Sequence, residues 1–323
     1  MNRLLNWLGS MRLTLLSLIA FGAGVGAILQ FDSPPTPALA LGFCLLLLNL
    51  VFAILVKEKI RSSIALLLFH IALLVLMLLV IASRATYMKG WVTLAEGEQF
   101  TGFAGIKSQG WFHPEDHSSL GFYQGPFSIY FGPDGGRTDA TSEVYLPDQQ
   151  QRLMVGSQKP LKVSGYRFTL SRNIGFSALV RWRDPSGEQL VALRFPSQIT
   201  QPDGQAVDWP RPDGKGQIWM GLEVLDERRH FFEPEFRVPD NYQLILRLDD
   251  QRLILKPGEN LNLKGAQLQL LGLERWIGYE VFYDWTMNWL LATCLFGILC
   301  LGWYLWQKTT SSRWNLDTKE GER

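Results

Sequence analysis

The sequence predicts a membrane α + β protein: four transmembrane helices, three N-terminal and one C-terminal, with a large β-rich extracytoplasmic domain between helices three and four. Two observations carry that prediction. Apolar residues gather at the two ends of the 323-residue chain, in windows long enough to cross a hydrocarbon core of about 30 Å, which takes roughly 20 helical residues. Between them lie short runs of alternating apolar and polar residues, punctuated by Pro, Gly, Asp and Asn, which is the pattern of strands and turns.

The four windows fall at 13–31, 38–56, 63–83 and 286–306. Arg3, Arg12 and the string Ala38-Leu39-Ala40 give the first window some likeness to a secretory signal, but "DSPPTP" and a second full-length apolar run follow at once, which favours a retained helical hairpin. Gly22 and Gly26 in helix one are spaced for close contact with another helix. Trp285 and Trp289 at one end of helix four, with Trp303 and Trp306 at the other, match the aromatic belts of two membrane interfaces. The chain therefore divides into a membrane domain at 1–86, a β-rich domain at 87–283, and a final helix and tail at 284–323.

Orientation follows from Lys and Arg in the short flanks, because cytoplasmic loops carry the positive excess. Arg3 and Arg12 precede helix one, Lys57, Lys59 and Arg61 lie between helices two and three, and Lys308, Arg313, Lys319 and Arg323 follow helix four. The loop from Phe31 to Pro37 has none. Both termini are expected in the cytoplasm of a multi-pass protein of a bacterial inner membrane, with the large domain in the periplasm. A net charge of +1 and the lack of a basic stripe argue against nucleic acid as a partner. Cys44, Cys294 and Cys300 all fall inside predicted helices, so the external domain has no thiol for a disulfide. There is no C-x-x-C for thiol redox chemistry and no C-x-x-C-H for covalent haem attachment.

Within the external domain, "LKVSGYRFTLSR", "SALVRWRD", "GQIWMGLEVLD", "YQLILRLDDQRLILKPGE" and "LNLKGAQLQLLGL" read as short strands, with a hairpin turn at Asp249-Asp250. A two-layer or barrel-like β domain is expected.

One polar side chain stands out. His70 interrupts "LLLFHIALLVLM" about 12 Å into the hydrocarbon at 1.5 Å per residue, and Asn49 in helix two falls at about the same depth. Two readings share that geometry. Asn49 and His70 can simply hydrogen-bond across a helix pair, or His70 can offer a ring nitrogen to a metal such as haem iron while Asn49 orients the ring by hydrogen-bonding its other nitrogen. Outside the membrane, His113, Glu115, Asp116 and His117 form a weak candidate metal set, which Pro114 argues against by disfavouring a helix at His113; a solvated loop is the commoner explanation. His230, between Arg228-Arg229 and Phe231-Phe232, is either part of a basic aromatic patch or a surface strand edge. No Ser-His-Asp arrangement, phosphate loop or spaced carboxylate pair is present, so no self-contained catalytic site is expected.

The stretches "WLGSMRLTLLSLIAFGAGVGAILQ", "FHIALLVLMLLVIASRATYMKGWVTLAEGEQF", "GYRFTLSRN" and "LGLERWIGYEVFYDW" resemble the ResB/CcsB family, the membrane proteins of the haem-handling cytochrome c maturation system. The resemblance covers most of the chain, although the external domain is short and Asp284-Trp285-Thr286 stands where the family has Asp-Pro-Gly. It implies a subunit of a haem-delivery and attachment complex, a lyase or synthetase shared with a multi-spanning ResC/CcsA-type partner, with membrane lipid around it and apocytochrome c as client. It also implies His70 as a candidate axial ligand of transiently held haem. The alternative is a membrane-anchored scaffold or assembly factor whose β-rich domain binds proteins but no haem. A metal-dependent enzyme built on His113 and His117 is the third reading.

Overall fold

The computed structural model describes residues 2–31, 35–114, 120–132, 136–147, 150–198, 204–225, 235–248, 251–263 and 265–320. It divides into two units, one made of residues 1–86 with 285–323 and one of residues 87–284.

The first unit is helical. It contains α1 (Asn2–Leu8), α2 (Met11–Phe31), α3 (Pro35–Val56), α4 (Glu58–Arg61), α5 (Ile64–Thr86) and α6 (Met287–Glu320). Helices α2, α3, α5 and α6 each contain a span long and apolar enough to cross a membrane, and only 11% to 17% of each span is covered by protein. A helix that is apolar all round needs burial in protein or in lipid, and here protein covers little. This is the surface of a membrane-embedded protein. Residues such as Leu16, Ile19, Leu41, Ile64, Leu291 and Leu299 point outward accordingly.

Small residues set the helix contacts. A Cβ on Gly24 of α2 would lie 2.2 Å from the Ala38 carbonyl oxygen, and one on Gly42 of α3 would lie 2.5 Å from the Phe21 backbone nitrogen. Gly22 and Gly26, the pair expected at this contact, have open space around them, so Gly24 and Gly42 carry the close approach instead. Helices α5 and α6 meet at Ala72, which is buried and which a Cβ on Gly297 would touch; Ala65 and Cys300 are buried as well. Cys294 is exposed. At the ends of this helix pair the Trp285 indole N–H donates to Thr86 Oγ1 at 2.9 Å.

The second unit is built of strands, β1 (Met88–Ala95), β2 (Gly105–Gln109), β3 (Tyr123–Phe131), β4 (Arg137–Leu146), β5 (Gln151–Gly156), β6 (Leu161–Val163), β7 (Tyr166–Asp184), β8 (Gly187–Arg194), β9 (Ala206–Pro210), β10 (Gln217–Val224), β11 (Tyr242–Leu248), β12 (Gln251–Leu255), β13 (Asn260–Leu263) and β14 (Ala266–Tyr283). They form a seven-stranded sheet with the path β2-β1-β14-β7-β6, onto which β13 and β8 pair, a four-stranded sheet β12-β11-β10-β9 and a three-stranded sheet β3-β4-β5. The simple two-layer or barrel expectation thus becomes three sheets, whose buried faces contribute to a single hydrophobic cluster.

The sequence runs "LKVSGYRFTLSR" and "SALVRWRD" are not one strand each. Leu161–Val163 is β6, and the rest of the first run from Tyr166 joins the second in the 19-residue β7, paired along its length with the 18-residue β14. The join is held by local packing: the Trp276 ring covers Gly175, where a Cβ would sit 2.6 Å from it, and Gly278 lies against Ser171 and Asn173. The ladder register shifts between Ile277 and Tyr279 at this point. The predicted β11–β12 hairpin is present, with Leu248 paired to Gln251; Asp249 and Asp250 themselves lie outside the described residues. Ser164 (φ 47°) and Gly165 (φ 83°) supply the left-handed pair that turns β6 into β7.

The chain enters and leaves this unit at one place. Met88 at the start of β1 pairs with Tyr283 at the end of β14.

Candidate functional site

His70 lies on α5, half-buried, with its ring edge-on to Phe69 at 5.4 Å between centroids. Its Nδ1 is 2.7 Å from the carbonyl oxygen of Leu66, one turn earlier on the same helix. A carbonyl only accepts, so this contact requires a hydrogen on Nδ1 and leaves the lone pair of the neutral ring on Nε2. The helix itself therefore selects the tautomer. Metal-ligating histidines are characteristically oriented by donation of the other ring N–H to a carboxylate, a backbone carbonyl or water.

The position on the helix matters as much. Ala72 faces α6, while Ile64, Ile71, Val75 and Leu78 form an outward stripe, 38% to 67% exposed. At about 100° per residue, His70 is about 160° round the helix from Ala72 and about 100° from Ile71. It belongs to a third face, which three turns later carries the exposed Ile81.

Asn49 is not the partner of His70. Its amide nitrogen donates to the carbonyl oxygens of Leu8 at 2.7 Å and Ser10 at 3.1 Å, and its Oδ1 accepts from Thr14 Oγ1 at 2.8 Å. The physical reason is the break between α1 and α2. The last carbonyls of α1 have no partner within the helix, and a buried amide on α3 supplies one. Ser10 caps α2 by accepting from Leu13 N at 3.4 Å, and Gly9 lets the break approach the α3 backbone, where a Cβ would sit 2.9 Å from Ala53 N. The similar depth of Asn49 and His70 does not bring them together, and the His70 ring is held by the Leu66 carbonyl instead.

His113 is also accounted for structurally. It is buried, and its Nε2 lies 2.9 Å from the Tyr166 hydroxyl, with the Tyr283 ring edge-on at 5.0 Å. Burial, and then the neighbouring Tyr283, push the Tyr166 hydroxyl up to about 12. Glu115, Asp116, His117 and the His230 patch lie outside the described residues. Among the described residues no group of three or more His, Cys, Asp or Glu could hold a metal ion.

Two polar constellations in the strand unit had no sequence signal of their own. Gln124 on β3, Ser142 on β4 and Tyr279 on β14 close a buried ring: Gln124 Nε2 to Ser142 Oγ at 2.7 Å, Ser142 Oγ to Tyr279 Oη at 2.8 Å, and Tyr279 Oη to Gln124 Oε1 at 2.6 Å. It links the three-stranded sheet to the seven-stranded one, and burial raises the Tyr279 hydroxyl above its ordinary range. The stretch "AEGEQF" after β1 is the second. Gly97 (φ 86°) turns the chain, Glu96 pairs with Arg275 and accepts from Phe127 N at 3.2 Å, and Glu98 pairs with Arg194 and accepts from Ala95 N at 2.8 Å. These carboxylates fasten a turn to neighbouring strands and are spent in doing so.

The strand unit has clefts of about 240 Å³, between Arg181, Arg183 and Gln269, and about 160 Å³, between Trp91 and Tyr279. Ligand pockets run to roughly 300–1,000 Å³. Neither cleft matches a porphyrin.

No protein-family model and no curated protein matches the chain.

Proposed function

We propose that this protein is a membrane haem-delivery subunit of cytochrome c assembly, with His70 as an axial ligand of haem in transit. Haem is its cargo. The observation that carries this reading is the Nδ1 contact with the Leu66 carbonyl, which leaves Nε2 as the lone-pair atom on a face of α5 that α6 does not use. Leu74, Met77 and Ile81 follow His70 on that side of the helix and suit an apolar macrocycle.

The chain has four histidines, at 70, 113, 117 and 230, and among the described residues His70 is the one in an apolar helix. In this reading a multi-spanning partner of the ResC/CcsA type supplies the second axial ligand, with haem held between the two proteins. Haem supplies the vinyl groups to which the thiols of an apocytochrome C-x-x-C-H add, and this chain contributes ligation and positioning. In this reading the helices sit in a bacterial inner membrane with both termini cytoplasmic. The strand unit is periplasmic and holds apocytochrome near the haem exit, making a local reaction of a bimolecular encounter.

The second reading is a scaffold that binds proteins without haem. It is favoured by the same hydrogen bond, since the Leu66 carbonyl satisfies one ring nitrogen with no ligand present. Copurification with the partner, followed by absorption spectroscopy of wild type and His70→Ala, separates the two. Haem retained by wild type and lost from the variant supports delivery. Equal retention removes His70 from ligation, and haem in neither supports the scaffold.

A further inference from the structure

Trp111 and Phe112 are 93% and 75% exposed, although Trp and Phe are among the costliest side chains to leave in water. They directly follow β2 and Gly110, whose N–H donates to the Tyr87 carbonyl at 2.8 Å. Tyr87 is the residue after Thr86, the last of α5. Adding bond lengths along that path places the Trp111 Cα within about 14 Å of the Thr86 Cα, whatever the orientation of the strand unit. The register agrees, since Gln109 at the end of β2 pairs with Met88, and Met88 pairs with Tyr283, where the chain leaves the unit.

We infer that Trp111 and Phe112 insert into the lipid interface at the end of α5. This rests on the reading that α5 crosses a membrane. Trp favours the headgroup level because its ring is apolar and its indole N–H can stay hydrated, while Phe reaches the acyl boundary. The partner is the bilayer that receives α5. Its nearness follows from covalent continuity, which gives no similar reason to expect a protein partner at this spot.

The test uses the full chain in lipid nanodiscs, with Cys44, Cys294 and Cys300 changed to Ala and one new cysteine carrying an environment-sensitive fluorophore. Labels go at Phe112→Cys, at Gln189→Cys on β8 and at Val75→Cys in the outward stripe of α5. At position 112 we expect emission shifted to shorter wavelength, quenching by nitroxide lipid and protection from iodide; position 189 should show the opposite. Iodide access at 112 equal to that at 189 overturns the inference. So does protection from iodide at 112 without lipid quenching, which would mean that protein covers the pair. Lipid quenching at 75 but not at 112 sinks only the anchor, whereas none at 75 sinks the membrane reading beneath it.

Discussion

The His70 imidazole donates its Nδ1 hydrogen to the Leu66 carbonyl oxygen 2.7 Å away, so its own helix fixes which ring nitrogen is free. If Nε2 is the working atom, a ring supplied from solution can replace it. We expect His70→Gly, copurified with the partner, to lose its haem absorbance and to recover part of it when imidazole is added. Recovery should not occur in His70→Leu, where a side chain fills the space.

Asn49 separates packing from ligation. Asn49→Leu takes the side-chain donor from the Leu8 carbonyl, while the Ser10 carbonyl keeps the Thr14 N–H at 3.2 Å, and an unsatisfied buried group costs about 1–3 kcal/mol. Thermal unfolding in detergent should move to lower temperature by several degrees, while haem content per folded protein stays at the wild-type level. A selective loss of haem would reinstate Asn49 beside His70.

The α2–α3 contact depends on particular glycines. Gly24→Val and Gly42→Val place carbon where backbone atoms already lie at 2.2 and 2.5 Å, so they should cut the yield of monodisperse protein severely. Gly22→Ala and Gly26→Ala meet open space and should behave as wild type. Size-exclusion profiles of the four variants decide the matter.

Tyr166 and Tyr279 predict an alkaline limit. Tyrosine titrates near 10 in the unfolded chain, and Tyr166 is raised to about 12 in the folded one, with Tyr279 raised as well. The folded state holds these protons more tightly, so their contribution is fully present below pH 10 and is lost as pH rises from 10 through about 12. Melting temperature should fall across that window, and less steeply in Tyr166→Phe. A flat profile in wild type contradicts the assignment.

The helices were legible in the sequence because twenty or so apolar residues in a row admit few alternatives. The β11–β12 hairpin was legible too, through Leu244 and Leu246 alternating towards Asp249. What the sequence hid were relations between distant residues. Local alternation could not show that β7 continues past Ser171–Gly175, because its partner β14 is about a hundred residues away. The Gln124–Ser142–Tyr279 ring joins three strands in the same manner. Gly22 and Gly26 had the right spacing but the wrong helix face, and depth alone placed Asn49 beside His70 while α1 and α2 had already claimed its amide. His70 itself was found as the single ionisable side chain in an apolar run, and its hydrogen bond to Leu66 required coordinates.

Direct coordination is best tested by pulsed electron paramagnetic resonance of ferric haem, with this chain carrying ¹⁵N-histidine and the partner unlabelled. We expect a strong ¹⁵N hyperfine coupling in the wild-type complex that disappears in His70→Ala. Haem present in the wild-type complex without any ¹⁵N coupling would contradict ligation by His70.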